Sequence, residues 1–171
     1  MSIAKRSFVA LTAFAALALS GCAHYQLGTT LPPHLRTICV DTFENRTSEP
    51  NIESRITMYV RREFQHDGQL KIVATEKESD ITLKAVLESY DVESLIYEKN
   101  NPNTTRRYRA RIYCTLTATE TATGKLIVSQ RVSGDTTFPA AGDTVTARRN
   151  ALNDVARSLA KEVVDAVIGA W

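Results

Sequence analysis

The side chains in this sequence with the chemistry to act are three cysteines, three histidines and a run of arginines at period two. The histidines make no site. His24 and His34 have no carboxylate or thiol at metal-ligand spacing, and His66 stands beside Asp67 at a helix end. No serine lies in a nucleophile-elbow context, and no glycine-rich phosphate loop is present. Asp41 and Glu44 can be drawn as a carboxylate pair, but charged residues at strand ends are common. The sequence supports no catalytic reaction and implies no cofactor or metal. The arginines offer binding instead. Arg107, Arg109 and Arg111 alternate with other residues, so on a strand all three project from one face. Guanidinium groups match phosphate and carboxylate oxygens with paired hydrogen bonds. Lys84 is expected on the same face of the preceding strand, and Lys125 and Arg131 on that of the following one. Such a surface suits the phosphates of a glycolipid or the acidic wall of a partner. It is equally what a solvated sheet face looks like, with Glu88 offsetting part of the charge.

Cys22 is placed differently from the other thiols. Lys5 and Arg6 open the chain, and Phe8 to Leu19 is apolar except for Thr12. The apolar run is about a dozen residues, where a membrane-spanning helix needs about 20. A basic start, a short apolar core and small residues at its exit describe a secretory signal peptide. Leu19-Ser20-Gly21-Cys22 resembles the lipobox of bacterial lipoproteins. The resemblance implies removal of residues 1–21, a diacylglycerol on the Cys22 thiol and acylation of the new amino terminus. Two or more acyl chains anchor firmly, since each buried methylene contributes about 0.8 kcal/mol. In such lipoproteins an Asp after the cysteine often retains the protein at the inner membrane. Here Ala23 follows, which favours the outer membrane.

Loss of the leader changes the charge. Of 21 Lys and Arg, Lys5 and Arg6 precede Cys22, which leaves 19 basic against 19 acidic groups. Bulk charge therefore argues for neither nucleic acid nor a membrane surface. The remaining chain of about 150 residues is enough for one domain with a real core. Cys39 and Cys114 do not establish a disulfide framework. A periplasmic location would permit a bond, but two separately buried thiols are the favoured reading.

The elements that must position these residues follow from pattern. Residues 22–35 read as a lipidated start and tether, with Pro32-Pro33 favouring an extended path. Residues 36–171 read as one domain. Arg36 to Phe43 is a first strand, with Ile38 and Val40 on one face and Thr37, Cys39, Asp41 and Phe43 on the other. Ser48 can cap the next helix, with Pro50 in its first turn. That helix is expected over about Asn51–Gln65, with an apolar stripe of Ile52, Ile56, Tyr59, Val60 and Phe64. Arg61 and Arg62 lie off the stripe and read as solvated, and Gly68 is suited to the left-handed C-terminal position. Leu70 to Ala74 is a short strand. Ile81, Leu83, Ala85 and Leu87 then alternate with Thr82, Lys84, Val86 and Glu88. Asp91 to Thr105 lacks periodicity and reads as an exposed loop. Arg106 to Glu120 is the longest strand, turning at Gly124 into a return strand with Leu126, Val128 and Val132 on the core side and Ile127 outside. A final helix capped by Asp143 or Thr144 carries Val145, Leu152, Val155, Leu159, Val163 and Val167, and stops near Gly169. The result is an α+β two-layer sandwich, with two amphipathic helices on one face of a mixed, mostly antiparallel sheet.

Several stretches resemble the LptE family of lipopolysaccharide-assembly lipoproteins. They are Tyr25 and Leu31-Pro32, then Val40-Asp41-Thr42-Phe43-Glu44-Asn45-Arg46-Thr47, then Pro50-Asn51-Ile52-Glu53, and the closing helix from Ala151-Leu152 through Val163-Val164 to Trp171. The Phe-x-Asn-x-Thr stretch also looks like parts of curli-secretion and penicillin-binding-protein-activator lipoproteins. The resemblance implies a non-enzymatic lipoprotein of the outer membrane, lipid-anchored on its periplasmic side. It implies partnership with a large β-barrel of the LptD type, as plug and assembly factor, and help in delivering lipopolysaccharide to the outer leaflet. The same anchor, strand and helix would also serve a secretion-pore or cell-wall-synthase-activator lipoprotein. The family supplies no strict motif for glycolipid contacts, so the arginine row rests on alternation alone.

Overall fold

The protein's computed structural model describes residues 31–98, 101–140 and 144–171. Residues 1–30, where the leader, Cys22 and most of the tether were expected, and Asp143 lie outside them. The elements are β1 (Thr37–Val40), β2 (Glu44–Asn45), α1 (Ile52–Asp67), β3 (Lys71–Ile72), a 3₁₀ turn (Glu76–Glu78), β4 (Ile81–Glu98), β5 (Asn101–Glu120), β6 (Leu126–Pro139) and α2 (Thr144–Ile168). The strands form one open sheet in the order β3-β1-β4-β5-β6, with β2 also on β4. β1 runs parallel to β3 and β4, while β4, β5 and β6 form an antiparallel meander. Both helices cover one face, and the expected α+β sandwich is observed.

The core follows the predicted stripes. Ile52, Ile56, Val60 and Phe64 of α1 are fully buried, and so are Val155, Leu159, Val163 and Val167 of α2. The sheet meets them with Ile81, Leu83 and Leu87 of β4 and Ile112, Cys114 and Leu116 of β5. Gly68 closes α1 at φ +77°, its N–H donating to Phe64 O at 3.1 Å. The small residues matter where helix meets sheet. At Gly134 of β6, a Cβ would lie 2.4 Å from the backbone nitrogen of Leu159. Only glycine lets α2 descend that far.

Four expectations are corrected. Ser48 does not cap α1. The residue before the helix is Asn51, at φ +59° and without a side-chain cap bond, and Pro50 precedes it. The first strand breaks after Val40, whose carbonyl accepts from the Arg61 guanidinium at 2.6 Å. The chain therefore bends, and Phe43 enters the core instead of sharing the outer face with Asp41. Arg61 is exposed, as expected, while its guanidinium also holds the Val40 carbonyl. Leu126 is 54% exposed because Ile127 is an extra residue in β6: Ala118 pairs with Val128 and Thr119 with Leu126. The bulge turns Leu126 off the core face and packs Ile127 against the core instead.

The largest correction is at Asp91–Thr105. It is strand, not loop: β4 continues to Glu98 and β5 begins at Asn101. The period is shifted at Glu88 and broken again by register shifts between Ser94 and Glu98. Leu87 pairs with Cys114 and Ser89 with Tyr113, so Glu88 is an extra residue. Before it, odd-numbered residues face the core. After it, Tyr90 and Val92 oppose the buried Ile112 and Ala110, and the odd residues face water.

The Phe-x-Asn-x-Thr stretch has a structural account. Phe43 N–H donates to Thr57 Oγ1 of α1 at 3.1 Å. Asn45 Oδ1 accepts from the backbone and hydroxyl of Thr47, and Asn45 Nδ2 donates to Glu49 O and Glu53 Oε2. One side chain thus shapes the turn that delivers α1. Asp80 fastens the opposite end of β1. Its Oδ2 accepts from Arg36 N, Thr37 N and Thr37 Oγ1 at 2.8–2.9 Å. Those bonds, the Arg36 amide foremost, hold its carboxyl below the usual range.

Cys39 and Cys114 are both free and buried, on opposite faces of the sheet. Burial pushes the Cys114 thiol up to about 12. A group raised this far stays protonated and unreactive at pH 8. Cys114 should therefore resist a thiol reagent in the native protein and react on unfolding in urea, and equal reactivity in both states would contradict its placement. Gly134→Val should lower stability by about 1–3 kcal/mol, read as a fall in urea midpoint; an unchanged midpoint would mean that α2 does not rest on that glycine.

Candidate functional site

The outer face of β4, β5 and β6 is the surface where the arginine row was expected. β5 presents Arg107, Arg109 and Arg111 there, with Tyr113, Thr115 and Thr117 beyond. β4 contributes Lys84 on the near side of the bulge and Ser89, Asp91 and Glu93 after it. β6 contributes Arg131, Asp135 and Thr137. Register decides the pairing: Arg109 sits between Glu93 and Thr137, and Arg111 between Asp91 and Asp135.

The cations are interleaved with acids. Arg109 Nη1 lies 3.8 Å from Glu93 Oε1, and its Nε 3.7 Å from Asp135 Oδ2. That Nε is buried and has no hydrogen-bond partner. Arg107 Nη2 donates to Thr137 Oγ1 at 3.3 Å, and Arg111 Nη1 to the Tyr113 hydroxyl at 3.3 Å. Arg131 lies over the Tyr113 ring, 4.1 Å from its centroid, and donates to Glu88 Oε2 at 2.6 Å. Glu88 also accepts from Thr115 Oγ1 at 2.6 Å. The Thr115 bond and then the Arg131 bond hold the Glu88 carboxyl below its usual range. Lys84 Nζ lies 3.9 Å from Asp41 Oδ2. Lys125 stands apart in the hairpin turn at the far end of the strands, in a groove beside Leu126 and Trp171.

The outcome is a charge-balanced lattice on a polar sheet, not a bare cationic strip. Exposed ion pairs of this kind contribute about 0–1 kcal/mol each. They fix side-chain positions more than they stabilise the fold.

A more cationic place lies on the helix side and was not read from the sequence. Arg55 of α1 meets Arg148 and Arg149 of α2 around a cleft of about 350 Å³, with Glu49, Tyr90 and Leu152. Arg55 Nη1 donates to Asn153 Oδ1 at 2.6 Å. Burial raises the Tyr90 phenol, Glu49 adds to the rise, and Arg148 opposes it, so the hydroxyl stays protonated. Next to it, and sharing Arg148, is an apolar cleft of similar size lined by Val92, Tyr108, Phe138 and Ala147. The Tyr108 and Phe138 rings stack at 5.5 Å. Guanidinium groups beside an apolar slot match an anionic amphiphile. The Arg148-Arg149 pair was the available signal, but its meaning depends on Arg55, far away in sequence. Among the described residues no group of three His, Cys, Asp or Glu is placed to hold a metal ion.

A family model for lipopolysaccharide assembly, LptE, matches residues 35–167. The chain belongs to the LptE family. The match spans both helices and all six strands. LptE-family members are non-catalytic, outer-membrane-associated assembly lipoproteins that work with lipopolysaccharide-transport components. No helix among the described residues is long and apolar enough to cross a membrane. No curated relative matches the chain in sequence. Solved structures share its fold. The hypothetical protein CT253 from Chlamydia trachomatis superposes with a TM-score of 0.60 at 7% identity, over 80% of this chain and 97% of that one. The rare lipoprotein B from Shewanella oneidensis gives 0.51 at 10%, over 75% and 95%. A PelC dodecamer from Paraburkholderia phytofirmans gives 0.51 at 12%, over 82% and 94%. At these identities the likeness concerns fold alone.

The lattice makes a specific claim about Arg109. Removing its charge in Arg109→Gln should change stability by less than about 0.5 kcal/mol. Arg109→Glu sets a third carboxylate between Glu93 and Asp135 and should cost about 1 kcal/mol more, partly recovered by salt. Equal urea midpoints for the two variants at low salt would show that the lattice is not formed in solution.

Proposed function

We propose that this LptE-family chain is held at the periplasmic side of the outer membrane by acyl groups on Cys22. There it partners a large β-barrel of the LptD type as plug and assembly factor, and helps deliver lipopolysaccharide to the outer leaflet. The observation that carries this reading is the uncovered face of the meander. It is long, polar and charge-balanced, and no element of the chain covers it among the described residues. The lumen of an outer-membrane barrel is itself polar, and an insert must match it without burying unpaired charge. A lattice in which each cation already has an acidic or hydroxyl neighbour meets that demand. A lipid tether raises the local concentration of plug at barrel, so the contact need not be strong alone.

Within this reading Arg107, Arg109, Arg111, Lys84 and Arg131 meet the barrel wall. The cleft of Arg55, Arg148 and Arg149, with its apolar neighbour, takes the phosphates and acyl edge of the glycolipid. Lys125 belongs to neither surface.

A crosslinked pull-down from outer membranes tests it. One large β-barrel should co-purify, with lipopolysaccharide bound. Substituting Gln at Arg107, Arg111 and Arg131 together should reduce barrel recovery. Arg148→Glu with Arg149→Glu should weaken lipopolysaccharide binding about tenfold or more, equivalent to at least about 1.4 kcal/mol, and leave barrel recovery intact. A ring of identical subunits, a wall synthase, or no partner would overturn the reading.

A further inference from the structure

Four large apolar residues are exposed among the described ones: Met58, Val92, Leu126 and Trp171. Met58 stands alone beside the arginines of α1, and Val92 lies in the cleft already assigned. Leu126 and Trp171 are different, because they share one groove of about 330 Å³. The β6 bulge turns Leu126 outward, leaving it 54% exposed, and Trp171 is 36% exposed. Lys125, Pro32 and Leu35 line the same groove. The carboxylate that lines the groove, Glu120, is engaged by the Thr123 hydroxyl and lies 3.5 Å from His34. The groove thus offers one amphipathic aromatic, one exposed aliphatic and one exposed ammonium head that makes no ion pair among the described residues.

Its position in the chain says what it meets. Leu31 and Leu35 are docked in the core at this end. Cys22 is nine residues before Leu31, and nine residues reach at most about 30 Å when fully extended. If Cys22 carries acyl chains, this end of the domain is the one held against the bilayer. Tryptophan rings favour the headgroup level of a membrane, and lysine stems lie along apolar surface with the charge reaching the phosphates.

We propose that Lys125, Leu126 and Trp171 form a contact that seats this end of the domain on the phospholipid surface, so that the anchor fixes the orientation of the domain as well as its location. The inference rests on acylation of Cys22, as proposed above, and concerns a surface separate from the sheet face and the arginine cleft.

Trp171 is the chain's one tryptophan, so the contact has its own reporter. The mature lipoprotein is reconstituted in vesicles of phosphatidylethanolamine and phosphatidylglycerol, with or without bromine on the acyl chains, and its intact mass is measured. Brominated lipid should quench Trp171 emission about twofold or more, as for an indole at the interface. Leu126→Asp should remove most of that quenching while the far-ultraviolet circular dichroism stays unchanged. An acylated protein whose emission is the same in both lipids overturns the proposal and leaves the anchor standing. Bromine-independent burial of Trp171, with crosslinking to a second copy, overturns it in favour of self-association. A Cys22 without acyl chains overturns the anchor and the seating together.

Discussion

The extra residue at Glu88 governs how this sheet divides into a dry face and a wet one. Strand side chains alternate, so one inserted residue exchanges the two faces for everything that follows. Up to Leu87 the odd-numbered residues of β4 fill the core. Beyond Glu88 the even-numbered Tyr90 and Val92 take the helix-side face, and Asp91 and Glu93 arrive opposite Arg111 and Arg109. Without the bulge those acids would point at α2, and the arginines of β5 would face tyrosine and valine. Glu88 is itself tied down by Thr115 and Arg131 across the neighbouring strands. The residue that breaks the alternation is thereby the one that links all three strands of the meander on the wet side.

The same bulge explains what sequence reasoning found and missed. Elements with an unbroken period were legible: the stripe of α1, the stripe of α2, and the alternation from Tyr108 to Ala118. From these the two-layer sandwich follows. Where a bulge interrupts the period, pattern fails. Asp91 to Thr105 looked aperiodic because its register shifts repeatedly between Ser94 and Glu98, and Leu126 looked like core because the extra Ile127 was not visible. Ser48 and Phe43 failed for another reason. Tertiary partners, Asn45 over the turn and Arg61 on the Val40 carbonyl, override local preference there. The arginine row was placed on the right face, but its acids lay in the stretch whose phase was lost. The cleft of Arg55, Arg148 and Arg149 has no local pattern, because two helices far apart in sequence make it.

Charge and shape are allocated to separate regions. The wet face spreads cations and anions over three strands and neutralises them locally. The helix-side cleft gathers three guanidinium groups against one carboxylate, beside aromatic rings. The groove at the hairpin turn is mainly apolar. These three surfaces are carried on one rigid frame, whose closeness of packing is set by Gly134 under Leu159. A family role in assembly fits a frame that displays surfaces, with the thiols of Cys39 and Cys114 buried within it.

The parallel pairing of β1 with β4 has a consequence for how the chain reaches this state. Thr37 and Asp80 are 43 positions apart, and the strands they join cannot meet until the second exists. β4, β5, β6 and α2 are consecutive and pair with near neighbours, which favours rapid, self-contained assembly. β1 and α1 come off the ribosome, and would leave a translocation channel, before any of them. For that interval Ile38, Val40 and the stripe of α1 have no sheet to enter. This topology predicts that the second half can assemble before the first half docks on it.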